Sequence, residues 1–180
     1  MKVFGIGVAK TGTTSLTEAL KILGYSAIHS TEIYRLYDEV NAATDTSIAV
    51  RYKELDIIFP NSKFILTTRD LNDWLASFEA HARKLVIDDL DLYRRFEFSW
   101  IRAKLFGKIQ FDKDLFAQGY TRHYQDVNDY FRNRPQDILI LNICDGEGWP
   151  KLCSFLNKPI PSVPFPNLNK RNEGENGKYK

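Results

Sequence analysis

The stretch Val3-Phe4-Gly5-Ile6-Gly7-Val8-Ala9-Lys10-Thr11-Gly12-Thr13-Thr14-Ser15-Leu16 decides how the rest of the chain is read. Val3 to Val8 is a short apolar run of the kind that makes a strand buried on both faces. A turn of small residues and hydroxyls follows, and then helical spacing sets in, with Leu16, Leu20 and Leu23 on one face. Strand, small-residue turn and helix together make a cradle for an anion. Backbone N–H groups and the positive end of the helix dipole converge on one point. Gly12 lets the backbone approach closely, the hydroxyls of Thr13, Thr14 and Ser15 add donors, and Lys10 adds a full charge.

The loop nearly matches the P-loop of nucleotide triphosphatases, in which a lysine follows the second glycine. Here Thr13 occupies that position, and the lysine has moved inside the loop as Lys10. A cation at that place meets the anion from a different side. The run Ala9-Lys10-Thr11-Gly12-Thr13-Thr14 resembles the 5′-phosphosulfate loop of PAPS-dependent sulfotransferases, with Ala9 in place of a proline.

Working outward, the spacing predicts a first strand over 3–8 and a helix over 13–23, stopped at Gly24. A short strand follows over 25–29. A helix is expected over 31–40, capped by Ser30 or Thr31, then a polar loop over 41–47 and a helix over 52–59. The clearest strand is Lys63 to Thr68, closed by Arg69-Asp70. Asp70 caps the next helix, which runs to about Leu85. Two further helices are expected. The first covers 90–106, with Tyr93, Phe96, Trp100 and Ile101 inward. The second covers 112–132, with Phe116, Tyr120, Tyr124, Val127 and Phe131 inward. A strand over 138–143 and a helix over 149–156 complete the pattern. Strands alternating with helices imply a three-layer α/β fold, a P-loop-type parallel sheet with helices on both faces. Residues 1–166 read as a single domain and 167–180 as a polar tail. The phosphate loop, His29 and Arg69 then share the C-terminal edge of the sheet, where ligands bind in such folds.

A second anchor lies on that edge. Arg69 closes a strand and Ser77, eight residues on, sits in the following helix. An arginine fork and a hydroxyl at that spacing can bracket one phosphate. The segment from Phe64 to Ser77 resembles the 3′-phosphate segment of the same sulfotransferases. Two anion sites have no use in binding an ordinary nucleoside triphosphate, whereas a 3′-phosphoadenosine needs both. The C-terminal run from Gly146 to Pro166 is similar to the end of small soluble members of that family. Arg171 stands near the place of a further basic 3′-phosphate contact, although Asn172-Glu173-Gly174 departs from the usual pattern.

The resemblance implies sulfuryl transfer from PAPS to a hydroxyl or amine, leaving adenosine 3′,5′-bisphosphate, without a metal. Lys10 would serve the transferring group. Lys10, Thr11, Gly12, Thr13, Thr14, Ser15, Arg69, Ser77 and Arg171 would hold the donor. Well-known cytosolic members take the acceptor proton with a histidine upstream of the arginine. That region here holds Asp45 instead, which is the candidate base, with His29 as alternative. Among the aromatic residues from Tyr93 to Phe131, Tyr120 is the candidate to stack on adenine. Asp70 and Asp145 read as a helix cap and a loop carboxylate rather than as magnesium ligands.

Composition bounds the partners. The chain has 180 residues and a net charge of only +2, which gives no footprint for nucleic acid. No apolar run is long enough to span a membrane, and Met1-Lys2 leads straight into the first strand without the form of a signal peptide. The expected setting is cytoplasmic, with a small-molecule or carbohydrate acceptor and reduced cysteines at 144 and 153. Two other readings stay open: a P-loop kinase, and a domain that binds a 3′-phosphonucleotide without transferring anything.

Overall fold

The computed structural model describes residues 1–29, 33–37, 40–84 and 89–168. Five strands form one sheet: β1 (Val3–Gly5), β2 (Ala27–His29), β3 (Ala42–Thr44), β4 (Lys63–Thr67) and β5 (Ile138–Leu141). Their order is β2-β3-β1-β4-β5, and every neighbouring pair is parallel. The helices are α1 (Thr13–Ile22), α2 (Thr46–Ala49), α3 (Tyr52–Ile58), α4 (Leu71–Lys84), α5 (Leu92–Phe106), α6 (Lys113–Phe131) and α7 (Trp149–Leu156).

Side chains alternate across a strand, so each central strand feeds two cores. Val3, Ala42, Ile65 and Leu141 pack against α1 and α7 through Leu16, Leu20, Leu152 and Leu156. Phe4, Ala43, Phe64 and Leu66 face the other way, onto Tyr52, Leu55, Val127 and Phe131 of α3 and α6. The parallel three-layer α/β architecture expected from the sequence is therefore present. A third cluster joins Val8 and Val50 to α4, α5 and α6 through Trp74, Phe78, Ile101, Leu105, Phe106 and Phe116. Val8 belongs to the loop after β1, so this cluster braces the turn that leads into α1.

Several expectations change. Residues 41–47 are not a loop, because Ala42–Thr44 forms β3 between β2 and β1. Small residues carry no strand signal, yet close packing demands them here. A Cβ added at Gly5 on β1 would lie 2.7 Å from the Thr44 methyl. The first strand ends at Gly5 and the last at Leu141, where a 3-10 turn over Ile143–Asp145 takes over. The helix expected over 31–40 appears as a 3-10 turn, Ile33–Tyr37, while its proposed caps Ser30 and Thr31 lie outside the described residues. Tyr93 and Phe96 are exposed rather than inward. Tyr124 is also exposed.

His123 of α6 is buried, with its Nε2 donating to the Ile6 carbonyl at 2.8 Å. Burial pushes its pKa below the ordinary value, although the Ile6 bond and Asp126 oppose the shift. The unfolded chain therefore takes up a proton near pH 6.5 that the folded chain resists. Stability should be complete above that pH and fall below it, by at most about 1.4 kcal/mol per pH unit from this group. His123→Gln keeps a donor and removes the titration. Urea unfolding between pH 7.5 and 5.5 should show the wild type losing more stability than the variant. Parallel losses would mean that the imidazole does not stay neutral.

Candidate donor and acceptor site

The loop from Gly7 to Gly12 is held from behind. An added Cβ on Gly7 would sit 1.9 Å from the Thr67 hydroxyl and 2.5 Å from its carbonyl, so no side chain fits there. Lys10 and Gly12 have positive φ, 74° and 96°. These turns hand the loop carbonyls to protein donors. Val8 O accepts from the Thr11 hydroxyl (2.7 Å), Ala9 O from the Trp74 indole (2.9 Å), Lys10 O from Arg69 (3.4 Å) and Gly12 O from Leu16 N–H (2.9 Å). With its carbonyls so engaged, such a loop is suited to present N–H groups to an anion. Gly12 caps α1 without any side-chain bond. The first-turn N–H groups of Thr13, Thr14 and Ser15, which have no acceptor within a helix, carry the positive end of the dipole.

The loop hydroxyls have unequal duties. Thr11 is fully buried, and its hydroxyl is shared between Val8 O and Thr67 (2.6 Å). Thr13 Oγ1 lies 3.1 Å from His29 Nε2. Ser15 Oγ accepts the Leu168 N–H at 2.9 Å, which leaves its proton for another acceptor. Thr14 is half-buried.

Arg69 stands beyond the end of β4, with Ser77 half-buried on α4. One phenol grips its backbone: Arg69 N–H donates to Tyr120 Oη (2.9 Å), which in turn donates to Arg69 O (2.8 Å). The Arg69 Nε is buried and has no protein partner. A buried, unpaired guanidinium donor is costly. Asp70 Oδ1 accepts the N–H groups of Asn72 and Asp73, which is the capping role the sequence suggests. Tyr120 was expected against adenine, but one side of its ring lies on Trp74, with centroids 4.5 Å apart. Its hold on Arg69 has no local signature, because 51 residues separate the two.

Asp45 follows β3 directly, so the unforeseen strand carries it to the same edge. Its backbone, φ 127° and ψ 167°, lies in a region that is almost glycine-only, at a cost of roughly 1–3 kcal/mol. Its carboxylate accepts the Thr46 N–H (2.6 Å), and the Thr46 hydroxyl accepts the Ala9 N–H (2.9 Å). Asp45 is thereby tied, through one residue, to the loop position before Lys10. No sequence signal marked Thr46. His29, at the end of edge strand β2, is exposed and rests on Thr13. Arg171 lies outside the described residues. Cys144 is exposed as a residue and Cys153 buried, both free, and partial desolvation of the Cys144 thiol raises its pKa while nearby Arg69 opposes the shift. Among the described residues, no helix is long and apolar enough to cross a membrane.

Two comparisons bear on this geometry. The "Ava biosynthesis cluster protein M" of Aspergillus versicolor is 28% identical over 217 aligned residues, which cover 93% of this chain and 80% of that protein. The sulfotransferase domain family matches residues 2–35 and 28–174, which take in the anion loop, Asp45 and the Arg69 segment. With the parallel sheet and the loop geometry agreeing, the chain belongs to the sulfotransferase domain family.

Proposed function

We propose that the chain moves a sulfuryl group from PAPS to a hydroxyl or amine of an acceptor and releases adenosine 3′,5′-bisphosphate. One observation carries this reading. An uncapped helix start follows β1, and Arg69, with its unpaired buried Nε, follows the adjacent strand β4. That arrangement suits two separate phosphates on one nucleotide. PAPS supplies an activated sulfuryl group whose departure leaves negative charge on the 5′-phosphate. The loop N–H groups and the α1 dipole stabilise that charge, assisted by the Thr14 and Ser15 hydroxyls. Lys10 lies beside the bond that breaks and draws off its developing charge. Asp45 takes the proton from the acceptor as the new oxygen–sulfur or nitrogen–sulfur bond forms. Arg69 and Ser77 hold the 3′-phosphate, and Arg171 is a candidate for the same group. The relative's name places it in a biosynthesis cluster, which favours a small-molecule acceptor.

Calorimetric titration with adenosine 3′,5′-bisphosphate, AMP and ATP–magnesium tests the donor site without any acceptor. The bisphosphate should bind most tightly. Arg69→Ala should weaken it about 10- to 100-fold, as expected for one charge-assisted contact, and AMP far less, because the loop keeps its Thr11, Trp74 and Leu16 bonds when the long Arg69–Lys10 contact is lost. Preference for ATP–magnesium would instead favour a kinase.

A further inference from the structure

We infer that Trp74 and Tyr120 form an aromatic bracket that fixes the separation of the two anion-binding motifs, and so sets the preference for a nucleotide with a second phosphate. The inference rests on the donor reading above and assigns both residues as positioning residues.

The sheet leaves this separation underdetermined. β4 ends at Thr67, and the last ladder-like bond beyond it runs from Thr68 N–H to Leu141 O (3.0 Å). Arg69 is past the reach of the sheet, yet its backbone direction decides where the guanidinium points. Tyr120 supplies what a neighbouring strand no longer does, since its single hydroxyl bonds both the N–H and the C=O of Arg69. Burial raises the phenol pKa, with the Arg69 contact opposing, so the proton needed for this double role stays in place.

The other half of the bracket reaches the first motif. Trp74 is fully buried, and its indole N–H donates to Ala9 O, one residue before Lys10. The Trp74 and Tyr120 rings meet at 4.5 Å with a 32° tilt. Two rigid rings in contact therefore connect Ala9 of the 5′-side loop to Arg69 of the 3′-side segment. Trp74 is braced in turn by Phe78 and Phe106, at 5.2 and 6.0 Å. A buried indole N–H and a half-buried phenol each need a partner, and both find theirs on the two anion-binding segments, at Ala9 and at Arg69.

The test measures Kd for AMP divided by Kd for adenosine 3′,5′-bisphosphate, in the full chain, by calorimetry. Tyr120→Phe keeps the ring and removes the hydroxyl. It should reduce the ratio about tenfold through weaker bisphosphate binding, with AMP unaltered. In an Arg69→Ala background, Tyr120→Phe should change the ratio no further, because Tyr120 acts through Arg69. Trp74→Phe, which removes the Ala9 bond, should also lower the ratio and serves if Tyr120→Phe does not fold. An unchanged ratio, equal weakening of both nucleotides, or a full effect of Tyr120→Phe without Arg69 would overturn the inference. A wild type that fails to distinguish the two nucleotides would refute the donor reading itself, whatever the variants do.

Discussion

Lys10→Ala should bind adenosine 3′,5′-bisphosphate within a few-fold of wild type and lose turnover by roughly 10²–10³-fold. Three features argue for a large loss in rate and a small one in affinity. In the proposed donor site the bisphosphate is also held by the α1 amides and by Arg69, whose side chains and N–H groups the substitution does not remove. In the proposed mechanism the Lys10 charge matters most while charge develops on the breaking bond, so its contribution would fall in the transition state rather than in the ground state. The loop itself should survive, because its shape depends on carbonyl contacts from Thr11, Trp74, Arg69 and Leu16 and on the lack of a side chain at Gly7. Lys10 sits at φ 74°, where alanine is no better suited than lysine, so a mild loss of stability is the most to expect. Single-turnover rates with PAPS, measured beside bisphosphate affinity, separate the two effects. If turnover survives intact, the catalytic role assigned to Lys10 is wrong.

Asp45 gives the second large effect. Asp45→Asn keeps an oxygen for the Thr46 N–H and loses the proposed base, so turnover should fall roughly 10²–10⁴-fold with donor affinity preserved. Asp45→Gly makes the sharper companion. It loses the base as well, but it releases a backbone strained at φ 127° and ψ 167°. Its thermal stability should match or exceed wild type, by an amount on the order of 1 kcal/mol after the lost Thr46 bond is counted. An inactive protein that is no less stable would identify a residue kept for chemistry at the expense of the fold. Activity equal to wild type in both variants would move the search for the base to His29. That histidine contacts Thr13 at the start of α1 and is exposed, so His29→Gln is expected to leave turnover largely intact.

The anion loop was readable because its shape is local. A buried strand, a glycine that cannot be replaced, a left-handed glycine and a helix start all lie within a dozen neighbouring residues, and each has a compositional mark. Arg69 was readable for the same reason, as the polar stop to an apolar strand. The inward faces of α4 and α6 followed from helical spacing, and Trp74, Phe116, Val127 and Phe131 are buried as expected. The N-terminal half of α5 misled, since Tyr93 and Phe96 repeat at core spacing and are nonetheless exposed. Periodicity reports which residues share a face, not whether anything covers it.

By itself the sequence determined the α/β class, the glycine-bearing turn from β1 into α1, and the place of Arg69 at the end of β4, because those properties come from short-range backbone preferences and nearby side chains. The tertiary structure alone decided that Ala42–Thr44 is a strand, that Asp45 lies beside the loop, and that Trp74 and Tyr120 join the two anchors. None of these has a local cause. Alanines become a strand only between two existing strands under a helix that needs the space. A phenol finds a backbone 51 residues away only once the chain has closed around the sheet.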